Sequence, residues 1–164
     1  MWRQGSGGIR GRLIDRSGTP LGADFNVSDE GIRPKVGVTD TGFVVIIDMT
    51  TYIAFVLLDA NGNDIGGEGL NVTFPSNSIN PDLARLADGS FVVVWTASSS
   101  PHDNSDYSIR ARALSSAGQP VGDEIGINLV TAGRQEFAAV AASKSSGFLV
   151  VWQSGNEIRS RRFT

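Results

Sequence analysis

Chemistry-bearing residues are sparse in this chain, and each group has a plainer reading beside it. The segment "SPHDNSD" places His102, Asp103 and Asp106 within five residues, an imidazole and two carboxylates of the kind that ligate a divalent ion. A single histidine in a long polar loop reads more simply as a solvated loop, and no metal is expected. "DANGND" at 59–64 has the look of a calcium loop, but its glycine is out of place for an EF-hand and no bidentate glutamate follows at the required distance. It reads as a hairpin turn. His102 and the many serines leave a Ser-His-Asp arrangement open, yet no serine stands in a nucleophile-elbow context, so hydrolysis is not expected. "NVT" at 71–73 matches a glycosylation acceptor, but it lies within a predicted strand, and a bacterial source would make it silent.

Arginine pairs are the more distinctive feature: Arg10 with Arg12, Arg110 with Arg112, and Arg159 with Arg161. Two guanidiniums on one strand face can grip a carboxylate, sulfate or phosphate group through paired N–H donors, which makes them the candidate ligand site, for acidic glycans or another anion. The plainer reading is a surface crossed by salt bridges to acidic residues at repeated positions, such as Asp24, Asp123 and Glu124. Trp2, Trp95 and Trp152 are of the type that stacks on sugars, but at the ends of apolar strands they read as core. No catalytic constellation stands apart from the rest, so neither an enzyme nor a cofactor is expected.

The elements that position these residues emerge from self-comparison. "GFVVIID", "SFVVVWT" and "GFLVVWQ" are one strand type, aligned on Phe43, Phe91 and Phe148, with Ile47, Trp95 and Trp152 at the fifth position and Trp2 in the same slot. These seven residues form the predicted structural core of the repeat. A second type begins at Ile9, Ile53, Ile109 and Ile158, and the first three isoleucines are each followed nine residues later by Gly18, Gly62 or Gly118, then by Gly22, Gly66 or Gly122. A third passes through Asn26, Asn71 and Asn128. The Phe-led strands are nearly unbroken apolar runs, as expected where both faces are buried. The Ile-led strands alternate, with Ile9, Gly11 and Leu13 on one face and Arg10 and Arg12 on the other. "DRSGTP", "DANGND" and "SSAGQP" supply hairpin glycines. No window keeps a helical period.

Measured from Trp2, the units run over 2–46, 47–94 and 95–151, with a partial unit at 152–164, in one repeat-built domain. The longest owes its excess to the predicted loop "TASSSPHDNSDYS". Units of about four antiparallel strands at this period predict an all-β, propeller-like architecture of about three repeats and a part, with a β-trefoil as the alternative.

The pattern "GF[VL]VVW", a loop and "IRxRxxxxxGxPxG", best seen around "LADGSFVVVW" at 86–95, resembles the tandem repeats of large secreted bacterial proteins that carry hemolysin-type or cadherin-like adhesin modules. The resemblance implies a propeller-like region in a secreted or cell-surface protein, and it implies no activity. The unit at 2–46 departs from the pattern where it meets the next, at Ile47 and Asp48, and "YIAFVLL" replaces the arginines with apolar residues.

Composition narrows the function classes. Charged residues make up only 19% and the net charge is −3, which gives no electrostatic case for nucleic acid. No apolar run approaches the roughly 18 residues of a membrane span, and no signal peptide is read at the start. Cysteine is absent, which removes disulfides, thiolate nucleophiles and cysteine zinc sites. The chain begins and ends inside a unit, with Met1 where the repeat would carry a valine, as expected of a window on a longer array or of ends completed between molecules. Open strand edges and apolar faces favour the second. The expectation is a non-enzymatic extracellular binding or assembly module and homo-oligomer, first a dimer of half-propellers, with a glycan or surface protein as ligand. The alternatives are a glycan-binding lectin and a self-assembling structural subunit.

Overall fold

A computed structural model describes residues 8–66, 78–100, 103–144 and 147–164. Trp2, Asn71 and the strand predicted around it, and His102 lie outside the described residues, as do the side chains of Asp103 and Asp106, and with them the loop considered as a metal site.

Twelve strands form four antiparallel sheets among the described residues. Sheet I pairs β1 (Ile9–Gly11) with β2 (Phe25–Ser28). Sheet II is β3 (Ile32–Val38), β4 (Gly42–Asp48) and β5 (Ile53–Asp59). Sheet III is β6 (Ser78–Arg85), β7 (Phe91–Ser100), β8 (Asp103–Leu114) and β9 (Pro120–Gly126). Sheet IV is β10 (Gln135–Ala142), β11 (Phe148–Ser154) and β12 (Glu157–Phe163). Strand order follows chain order in every sheet, so the fold is a run of meanders. Among these residues no sheet closes into a barrel and no ring of sheets closes, and no helix is long and apolar enough to cross a membrane.

The sheets stack face to face through three cores, because successive side chains of a strand point to opposite faces. In β4, Val45 and Ile47 join Ile9, Phe25 and Val27 of sheet I, while Val44 and Ile46 join Phe91, Val93 and Trp95 of sheet III. In β7 the same division repeats: Phe91, Val93 and Trp95 face sheet II, and Val92 and Val94 face Val150 and Trp152 of sheet IV. Both faces of β4 and β7 are therefore buried, as their unbroken apolar sequences predict. Each such side chain contributes about 1.5–3 kcal/mol on leaving water. Strand β11 is different, since Val150 and Trp152 are buried but Leu149 is 43% exposed. No fifth sheet covers it among the described residues.

Three turns share one construction. In each, the amide of Gly18, Gly62 or Gly118 donates to the carbonyl of Asp15, Asp59 or Ser115, and the glycine takes a positive φ of 87°, 86° or 77°. "DANGND" is thus a turn, its Asp59 carboxylate accepting from the Asn61 and Asn63 amides and from Asn63 Nδ2.

Two expectations need correction. The segment read as the loop "TASSSPHDNSDYS" is largely ladder, with Ala97 opposite Ser108 and Ser98 opposite Tyr107. Its polarity suggested a loop, but serine, threonine and tyrosine continue a strand wherever no Gly or Pro interrupts it, and Pro101 is the first breaker. The Asn-containing strands also align differently. Asn26 lies inside β2 opposite Arg10, whereas Asn128 lies beyond β9. There its Oδ1 accepts from the Ile109 amide and so stands in for a strand partner.

Candidate functional site

The arginine pairs of sheets III and IV face the preceding sheet, because their first members lie across from the tryptophans of the neighbouring strand. Arg110 is opposite Trp95 and Arg159 is opposite Trp152. In sheet III this is an interior position. Arg110 is 2% exposed, its Nη2 and Nε donating to Glu124 Oε1 at 2.6 and 3.2 Å. The expected surface of arginines is thus in part a buried face, because the sheet stack covers it. Arg112 donates from Nε and Nη2 to the Gly122 carbonyl at 3.1 and 2.9 Å. Arg12 repeats the bond to Gly22 at 3.2 Å and pairs with Asp24 at 3.3 Å. Arg161 reaches the Ile127 carbonyl of sheet III at 3.1 Å, and Arg159 pairs with Glu157 at 2.8 Å. Arg10 is exposed. The pairs therefore hold strands and turns together more than they form one anion-binding surface.

A second column of polar residues follows the first strands of sheets II, III and IV. Each carries a bulge, with Arg33, Asn80 or Phe137 at positive φ of 49°, 53° or 54°. Asp48, fully buried, receives Arg33 Nη1 at 2.9 Å, the Thr50 amide at 2.8 Å and the Asn80 amide of sheet III at 3.1 Å. Asp82 does the same one sheet on, accepting from the Val140 amide at 3.0 Å, and lies 3.7 Å from Lys35. Sequence reasoning noted Asp48 only as a departure from the repeat. The available signal was an acid closing an otherwise apolar strand, where only a compensated carboxylate can stay. Gln135 went unnoticed too, although its Oε1 accepts from Trp152 Nε1 at 3.1 Å in the interior.

The two ends of the stack of sheets carry exposed apolar residues. Between sheet I and the start of sheet II lies a groove of about 440 Å³, lined by Ile9, Phe25, Val27, Val36, Phe43 and Val45 among others. Val36 is 68% exposed in it, and Val38 further along the same strand is 62% exposed. At the opposite end, sheet IV presents Phe137, Leu149 and Ile158 at 57%, 43% and 76% exposure. Among the described residues no three His, Cys, Asp or Glu side chains form a group that could hold a metal ion. No family model, no curated protein and no solved structure matches the chain.

Proposed function

We propose that this chain is a non-enzymatic binding or assembly module, built as an open stretch of a β-propeller whose missing neighbours are supplied by further sheets of the same kind. The observation that supports it is the contrast within one repeat. Leu149 occupies the slot of Val44 and Val92, which are 0% and 2% exposed, and Ile158 that of Ile53 and Ile109, both 0% exposed. Positions built to lie under another sheet stand open at the end of the stack, and exposed apolar patches of this kind mark contact surfaces. The setting proposed is a secreted or surface-displayed bacterial protein, on the strength of the repeat pattern. Light scattering coupled to size exclusion over a dilution series tests the assembly reading. Species of two or more chains are expected, and a monomer of 17.3 kDa at every concentration would overturn it.

A further inference from the structure

We infer that the partner for both unfinished ends is a second copy of this chain, with sheet IV of one copy filling the gap in front of sheet II of the other. This rests on the assembly reading and gives it a partner and a register.

The two ends are complementary in strand content. Numbered by their place in sheet III, and among the described residues, sheet I has strand types three and four, and sheet IV has types one, two and three. Together they make one whole sheet with one strand of the third type to spare. Each copy then contributes three sheets, and two copies give six, within the usual four to eight blades of a closed propeller. The surplus strand is β1, which pairs with β2 over three residues with a register shift, whereas β12 pairs with β11 over seven without a break. In the closed ring β12 keeps its place and β2 of the other copy lies along its open edge.

Contacts already made inside the chain set the register. Aligned on the positive-φ bulge residues, Val36, Leu83 and Val140 are equivalent, as are Gly37, Ala84 and Ala141. Leu83 and Val140 each pack on the core they share with the preceding sheet. Val36, in the same slot, is 68% exposed. A Cβ on Gly37 would lie 3.2 Å from Leu83 Cδ1, so position 37 of one sheet meets position 83 of the next. By the same relation Ala141 of one copy meets Val36 of the other. The contact is head-to-tail, and it ends in a closed pair only if the rotation between sheets closes.

The chain has no cysteine, so paired substitutions report cleanly. The double variant Val36→Cys, Ala141→Cys, treated with a short bis-maleimide linker, is expected to give a two-chain product on a denaturing gel. The exposed control pair Leu21→Cys, Val130→Cys should give none. A ladder of longer products would overturn the closed pair. Multimers by light scattering that fail to link at 36 and 141 would overturn this register while leaving the assembly reading intact; a monomer would overturn both. Because position 36 is on the surface, Val36→Asp should keep the β-sheet circular dichroism and yet run as a monomer. A multimeric Val36→Asp would equally refute the contact.

Discussion

Gly118 lies under the ring of Phe55, so close that a Cβ on the glycine would stand 2.3 Å from Phe55 Cε1. Gly62 stands in the same relation to Phe25 of sheet I, at 2.5 Å from Cζ. Glycine is thus required at these turns for two reasons: the positive φ and the approach of an aromatic ring from the neighbouring sheet. Gly18 shares the φ, but a Cβ there would meet nothing within 4 Å. Gly118→Ala is expected to cost about 2–4 kcal/mol, from backbone strain plus overpacking, and Gly18→Ala only about 1–2 kcal/mol. Denaturant unfolding of the two variants measures the difference, and equal losses would mean that the Phe55 ring moves aside freely.

The two interior tryptophans should respond unequally. Trp152 Nε1 donates to Gln135 Oε1, while Trp95 Nε1 has no hydrogen-bond partner among the described residues. Trp152→Phe leaves a buried amide oxygen without its donor, a penalty of about 1–3 kcal/mol beyond the lost volume. Trp95→Phe loses volume and removes an orphaned donor. Unfolding free energies should therefore rank Trp152→Phe as the more damaging, and the reverse order would show that volume alone decides.

Asp48 ties sheet II to sheet III through its bond from the Asn80 amide. Arg33 is half exposed at its side chain and regains water when the carboxylate is removed. Thr50 is exposed as well, whereas Asn80 is partly covered between the two sheets. Asp48→Ala is expected to cost about 1–3 kcal/mol, chiefly through the partly buried Asn80 amide, with hydrogen exchange at the Asn80 amide accelerated beyond that of central β7. Unchanged protection at Asn80 would refute the tie.

Acid should weaken the turns. Hydrogen bonds from the Ser17 hydroxyl and Thr19 amide, from the Asn63 side chain and amide, and from the Ser90 hydroxyl and amide hold Asp15, Asp59 and Asp88 below their ordinary 3.8. A carboxyl that is harder to protonate folded than unfolded adds stability above its ordinary value. That contribution is lost as pH falls through the lowered native value. Melting temperature followed from about pH 5 downward should fall below about pH 4, and Asp59→Asn should flatten part of that slope. Asp15 and Asp88 are exposed and Asp59 partly so, so each effect is small, and an unchanged slope would remove Asp59 from the account.

Arginine substitutions separate structural from ligand roles. Arg110→Ala removes a buried guanidinium and strands Glu124, a change of about 3–5 kcal/mol for a buried pair. Glu124 retains some exposure, which places the expected loss at the lower end. Arg10→Ala, on the surface, should leave stability within about 0.5 kcal/mol. Anionic-glycan binding that disappears in Arg10→Ala while the fold persists would support the lectin alternative instead.

Much of the architecture was legible because its signals are local. Phe43 to Ile47 and Phe91 to Trp95 are apolar at every step, which only a strand covered on both sides tolerates. The turn glycines recur at fixed distances from Ile9, Ile53 and Ile109 because the hairpin needs a positive φ at one place. The site was less legible. Whether Arg110 faces solvent depends on sheet II lying over sheet III, a long-range fact that strand alternation does not carry. The partnership of Asp48 with the Asn80 amide links residues whose only common signal is a bulge, which leaves no compositional mark. The serine-rich stretch before Tyr107 shows the opposite error, with polar composition concealing strand pairing that runs on with one register shift.

Strands make their substantial contacts within a sheet or with the sheet next in the chain. Such a molecule has no single keystone, and its stability is close to a sum of unit and neighbour terms. Among the described residues, sheets II and III have a covered face on each side, and sheets I and IV on one side only. Loss of order therefore starts at the two ends and moves inward, as a rope unravels. A protease or a chaperone would meet sheet I or sheet IV first, and a neighbour that covered these sheets would slow the turnover of the whole chain.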